Sequence, residues 1–278
     1  FQPRAGFAAE QIPRLTLKWA FGFPGASGAR GLPTMAGGRV FVGSQGGTVY
    51  ALDAKSGCIA WSFQAKAGVR SAITIGPGRP GVPAVAYFGD GRSNVYALNA
   101  DTGALLWSKV VEEHPNSHVT GAPALHAGRL YVAVSSGEEA QGNNPKYECC
   151  TFRGSVVALD AATGALAWKT YTIANEPRPI GKNRSGTTRW GPSGAAIWAS
   201  PTIDARRGLL YAATGNMYTE PDQKTGDAVL AFRLATGELV WSAQLTPNDV
   251  FVMGCNQPNA PNCGDDVGPD FDFGNAPM

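Results

Sequence analysis

One thirteen-residue pattern occurs four times in this chain. It reads V-Y-A-L-D-A-K-S-G-C-I-A-W at 49–61, V-Y-A-L-N-A-D-T-G-A-L-L-W at 95–107, V-V-A-L-D-A-A-T-G-A-L-A-W at 156–168 and V-L-A-F-R-L-A-T-G-E-L-V-W at 229–241. A repeat of this kind restricts the fold more than any local propensity does. The first residues of each copy alternate on a period of two, which predicts a strand. The cluster that follows puts Gly57, Gly103, Gly164 or Gly237 where a tight hairpin needs positive φ. A second strand then ends on Trp61, Trp107, Trp168 or Trp241. Lead-in strands are expected at 37–43, 84–88, 129–134 and 208–213, and a further one at 15–21 near Trp19. One hairpin cannot bury its own faces, so the copies must stack, with the four closing Trp residues in the core between sheets. The predicted fold is all-β, a β-propeller with four strands per blade.

The closing Trp residues are 46, 61 and 73 residues apart, whereas a bare blade needs about 40–50. The excess predicts insertions at 138–153, 172–195, 218–226 and 248–272. Long loops on a repeat scaffold gather on one face and carry function. Four copies and a partial fifth are few for a closed ring. The expectation is one propeller domain over 1–278 that forms the N-terminal part of a larger ring.

Net charge is +2 with no basic cluster, which argues against nucleic acid or a membrane surface as partner. No apolar run is long enough to span a bilayer, and Phe1-Gln2-Pro3-Arg4 does not read as a signal peptide. Of five cysteines, Cys149 with Cys150 and Cys255 with Cys263 are possible disulfides, leaving Cys58 as a buried free thiol. Disulfides imply an oxidising compartment, hence a periplasmic or secreted protein. His114 and His118 flank Pro115 and read as a surface loop, and Asp265-Asp266 reads as a solvated turn.

Chemistry-bearing residues collect near the insertions. Ser135-Ser136-Gly137-Glu138-Glu139 puts two carboxylates at a strand end. Ala213-Thr214-Gly215-Asn216 ends another strand, and Asp270 and Asp272 alternate, on opposite faces if extended. Glu, Asn and Asp converging on one point make an all-oxygen set suited to a hard cation such as calcium.

The repeat, with S-S-G-E-E, I-W-A-S-P-T-I-D, A-T-G-N and D-F-D-F-G, resembles the pyrroloquinoline quinone (PQQ)-dependent alcohol dehydrogenases. The tract Y-E-C-C-T-F-R-G-S at 147–155 resembles their polyvinyl alcohol dehydrogenase branch. The resemblance implies an eight-bladed quinoprotein propeller with PQQ and a divalent ion on its axis. It also implies an alcohol or polymer substrate and cytochrome c as electron acceptor. Ser136-Gly137-Glu138-Glu139 matches the family's S-G-A-E, making Glu139 a metal ligand, with Glu138 the alternative one position away. Trp198 matches the aromatic under the quinone ring, Asn216 the second ligand, and Thr120 a cofactor-bonding Thr. Asp270 is implied as both metal ligand and general base, reached after T-P-N-D at 246–249. Asp272 stands where metal-rich variants carry an extra carboxylate, which admits a lanthanide in place of calcium. The family's catalytic Arg is expected beyond Met278.

The chain also departs from the family. Its adjacent cysteines belong in blade two, where this sequence reads Arg70-Ser71-Ala72. Here Cys149-Cys150 lies in blade three, as a candidate cover for the quinone, with Arg153 as a candidate partner for a PQQ carboxylate. The competing reading is a non-catalytic propeller scaffold or binding domain, because the repeat alone is shared with such proteins.

Overall fold

The computed structural model describes residues 6–28, 30–78, 80–257, 260–264 and 267–278. Each repeat is the second half of an antiparallel four-stranded sheet. The first sheet comprises β1 (Thr34–Ala36), β2 (Arg39–Gly43), β3 (Thr48–Asp53) and β4 (Ile59–Gln64). The second comprises β5 (Thr74–Gly76), β6 (Val85–Gly89), β7 (Asn94–Asn99) and β8 (Leu105–Val110). The short β9 (Ser117–His118) joins the third sheet, built from β10 (Ala124–His126), β11 (Arg129–Ser136), β12 (Ser155–Asp160) and β13 (Leu166–Tyr171). A four-residue helix, α1 (Glu138–Gln141), follows β11. Then come a hairpin of β14 (Arg178–Lys182) and β15 (Thr188–Gly191), and β16 (Ser193–Gly194). The fourth sheet holds β17 (Thr202–Asp204), β18 (Leu209–Ala213), β20 (Ala228–Arg233) and β21 (Leu239–Gln244), with β19 (Met217–Thr219) paired to β16. The first strands touch in sequence, β1 to β5, β5 to β10 and β10 to β17. Innermost strands side by side are the mark of propeller blades.

The repeat residues do their work between blades. Each hairpin glycine has φ between 72° and 77°, and its missing Cβ leaves room for the Trp of the blade before. A Cβ on Gly103 would lie 2.8 Å from Trp61, and one on Gly237 would lie 2.4 Å from Trp168. The indole N–H then donates into the same hairpin, from Trp61 to Ala100 O, Trp107 to Ala161 O and Trp168 to Leu234 O. Each docked ring removes about 150–250 Å² from water, roughly 4–6 kcal/mol gross. In the first three copies Asp53, Asn99 and Asp160 close the turn by accepting from the next backbone N–H groups.

Four expectations are corrected here. Residues 15–21 form no strand, because no neighbouring strand pairs with them among the described residues. Trp19 nevertheless docks against Gly57 and donates to Ala54 O, as a repeat Trp does. Of the closing Trp residues, Trp61 and Trp168 are buried, but Trp107 is half-buried and Trp241 is 41% exposed, with no later hairpin among the described residues to receive it. Cys58 is free and exposed, because the position after the hairpin Gly points outward. His114 and His118 are both half-buried, and Asp265-Asp266 lies outside the described residues.

All four insertions meet. Asn262 is fully buried and accepts from the Asn183 amide while donating to Gly142 O and Asn144 O. Arg189 pairs with Glu220, and Asp222 accepts from Asn248 N. The Cys255–Cys263 disulfide closes its own loop at this junction.

Candidate functional site

Beside this junction the ends of β11 and β18 bring three predicted residues together. Glu139, Asn216 and Asp272 line a cavity of about 20 Å³, with Trp198, Ser136 and Tyr218 among its walls. That is room for one water-sized body. Trp198 also lines a second cavity of about 500 Å³, shared with Thr120, Arg30 and Arg70, within the range of small-molecule pockets. Trp198 is thus a wall common to an ion-sized hole and a cofactor-sized one.

Local geometry explains each position. Ser136 Oγ donates to Asn116 O and accepts from Glu138 N, so it starts α1. Successive helical residues diverge by about 100°, which sends Glu138 and Glu139 different ways. Glu138 is fully buried and accepts from Tyr147 Oη (2.8 Å), Thr151 N (2.9 Å) and Phe152 N (2.8 Å). Burial would raise its pKa, but the His114 ring and these amides outweigh it and leave the carboxyl below its ordinary value. Its oxygens are committed to these bonds, whereas Glu139 is the one of the pair that lines the small cavity. Gly137 faces the His118 ring, and neither cavity includes it.

Asn216 spends both amide hydrogens on Met217 O and Phe251 O, which leaves Oδ1 as its free coordinating atom. Gly215 is required next to it, because a Cβ there would lie 2.2 Å from Asp272 Oδ1. Thr120 Oγ1 donates to Trp198 O, fixing the segment that carries the indole. Trp198 Nε1 is buried without a partner among the described residues.

The charge balance is lopsided. Burial, then the charges of Asp270, Asp272 and Asp249, push the Glu139 carboxyl up to about 7. Asp272 is exposed as a residue, but its carboxyl is partly enclosed and pushed up to about 6, chiefly by that partial burial, against a stabilising N–H from Asn216. Asp227 is buried with neither carboxylate oxygen bonded among the described residues, and burial plus Asp249, Asp272, Asp222 and Asp270 push it up to about 8. Among the described residues no three His, Cys, Asp or Glu side chains form a metal cage by themselves; the set here is two carboxylates and an amide oxygen. An oxygen-lined, ion-sized hole amid unneutralised carboxylates fits a hard cation.

Other candidates are placed elsewhere. Asp270 is exposed with φ 63°, so 270 and 272 do not alternate as in a strand, and Asp270 does not line the small cavity. Its charge still reaches Glu139. Cys149 and Cys150 are disulfide-bonded and 0% exposed, packed in the core with Phe152, Tyr218 and Val252 rather than against either cavity. Arg153 points away, donating to Ile173 O and Ala174 O with its guanidinium 4.0 Å over the Tyr171 ring.

Sequence reasoning missed Asp249, Asp227, Arg30 and Arg70. Asp249 is buried and accepts from Asp270 N and Phe271 N, holding the D-F-D-F segment in place. Its signal was the T-P-N-D tract. Arg30 and Arg70 also line an adjoining cavity with His118, whose pKa burial and then Arg70 hold down at about 4.

The profile of the glucose/ethanol/alcohol dehydrogenase β-propeller domain matches residues 109–263. A second PQQ-repeat profile, that of outer membrane protein assembly factor BamB, matches residues 16–179. The chain belongs to the PQQ-repeat propeller family. It is 45% identical over its whole length to a polyvinylalcohol dehydrogenase of a Pseudomonas species and 43% identical to one of a Sphingopyxis species. It spans only 43% of each of those proteins. A quinohemoprotein alcohol dehydrogenase of Pseudomonas putida is 29% identical over 90% of this chain and 37% of that one. Among solved structures, a europium-containing methanol dehydrogenase superposes with a TM-score of 0.63 at 22% identity, over 86% of this chain and 45% of that one. A quinohemoprotein alcohol dehydrogenase of Pseudomonas putida gives 0.62 at 23%, over 80% and 35%. These likenesses establish the propeller fold of this family member.

Proposed function

We propose that this PQQ-family chain is part of a quinoprotein dehydrogenase that oxidises secondary alcohol groups of the polyvinyl alcohol type. The single observation that carries the reading is the pair of cavities that share Trp198 as a wall, one lined by Glu139, Asn216 and Asp272. The substrate class is supported by the names of the two relatives alignable over the whole chain. In this reading Trp198 offers its face to PQQ, Thr120 fixes that indole, and Arg30 and Arg70 neutralise quinone carboxylates. Glu139, Asn216 and Asp272 hold calcium or a lanthanide ion. When bound, the quinone is the hydride acceptor for the carbinol carbon, and the cation polarises its carbonyl. Asp270, whose carboxyl is raised by partial burial and then by the Asp249 charge, takes the hydroxyl proton. The ring is completed by further blades, electrons leave to cytochrome c, and the enzyme works in the periplasm or outside the cell. No described helix is long and apolar enough to cross a membrane.

A scaffold is the second reading, favoured by the assembly-factor profile. That profile ends at residue 179, before Trp198 and Asn216, which fall inside the dehydrogenase profile. The test is dye-linked oxidation of secondary alcohols by the full-length protein titrated with PQQ and calcium. The expected outcome is activity that Glu139→Ala abolishes. No quinone binding and a silent Glu139→Ala would leave the scaffold.

A further inference from the structure

This chain carries two adjacent carboxylates, Glu138 and Glu139, at the start of α1. A fully buried carboxylate one residue from a candidate ligand needs a reason, since burying charge is unfavourable unless it is bonded throughout. Here it is bonded throughout. Glu138 Oε1 accepts from Tyr147 Oη at 2.8 Å and Thr151 N at 2.9 Å, and Oε2 accepts from Phe152 N at 2.8 Å. His114 Nε2 lies 3.4 Å from Oε1 and 3.0 Å from Thr151 Oγ1. Tyr147 in turn accepts from the Asn116 amide at 2.9 Å, and Asn116 O receives Gly137 N and Ser136 Oγ. The bonds thus tie the start of α1 to the segment just after the Cys149–Cys150 disulfide and to the 114–118 turn. A four-residue helix has little rigidity of its own.

We propose that Glu138 is a positioning residue for cation binding: it locks α1 to the buried 149–152 segment so that Glu139 stays aimed into the ion-sized cavity. The proposal rests on the reading of Glu139, Asn216 and Asp272 as a cation site. Outer groups that orient a metal ligand typically contribute about 10–100-fold in affinity.

The test is a terbium titration of the full-length protein followed by luminescence sensitised through Trp198, with calcium as competitor. Glu138→Gln keeps the size but cannot accept through both oxygens, and is expected to weaken terbium about 10–100-fold with unchanged far-ultraviolet circular dichroism. Tyr147→Phe removes one donor and is expected to weaken it about two- to tenfold, which keeps the proposal testable if Glu138→Gln does not fold. Asp90→Asn is the control for a merely structural role, because it breaks a buried network with Asn94 and Tyr96 in the second sheet. It is expected to lower stability and leave terbium affinity alone. Folded Glu138→Gln or Tyr147→Phe with wild-type affinity overturns the proposal while the cation site stands. Equal weakening by Asp90→Asn overturns it too. A wild-type protein that binds no terbium overturns the site itself.

Discussion

Asp227→Asn probes the uncompensated charge around the site without touching a proposed ligand. The Asp227 carboxyl is pushed up to about 8 from an ordinary 3.8, first by burial and then by neighbouring carboxylates. Between those values the folded chain keeps a proton that the unfolded chain has lost. Stability of the cation-free protein therefore falls as pH rises, by about 1.4 kcal/mol per pH unit from this residue. By pH 7 the accumulated loss is roughly 4 kcal/mol. Asparagine removes that loss but leaves a buried amide without partners, costing about 1–3 kcal/mol at every pH. The variant is thus near wild type at pH 5 and more stable by roughly 1–3 kcal/mol at pH 7. Urea unfolding of both proteins in chelator at pH 5, 6 and 7 measures the difference. A gap that stays constant with pH, or widens in favour of wild type, refutes the reasoning.

Cation affinity should depend on pH through Glu139, at about 7, and Asp272, at about 6. Protons compete for both carboxylates, so calcium binding measured calorimetrically weakens as pH falls from 8 to 5. Gly215→Ala should drive Asp272 from its place, since the added Cβ overlaps Oδ1; a calcium affinity loss of about tenfold or more is expected. Replacing Cys149 and Cys150 together with Ser should leave PQQ affinity unchanged in equilibrium dialysis, because neither lines the cavity beside Trp198.

The blades were legible because one pattern encodes both halves of each contact. Gly103 and Trp61 belong to different copies, yet each copy supplies the partner its neighbour needs. What stayed hidden depended on direction. Glu138 and Glu139 are identical in type and adjacent, and only the turn of α1 separates a buried anchor from a cavity wall. Asp270 and Asp272 exchanged prominence for a similar reason, because Asp249 accepts from the 270 and 271 amides and turns the segment. Cys149-Cys150 and Arg153 sat near Glu139 in sequence, but the disulfide packs into the core and Arg153 turns to Ile173 O and Ala174 O. Arg30 and Arg70 stand in stretches with no pattern of their own, and only folding brings them to Trp198.

Anomalous diffraction from crystals of the full-length protein grown with PQQ and terbium tests the central claim most directly. The account predicts one strong peak bounded by Glu139, Asn216 Oδ1 and Asp272, with quinone density against Trp198 and adjoining that peak. A peak outside that cavity, or quinone bound away from Trp198, would contradict it.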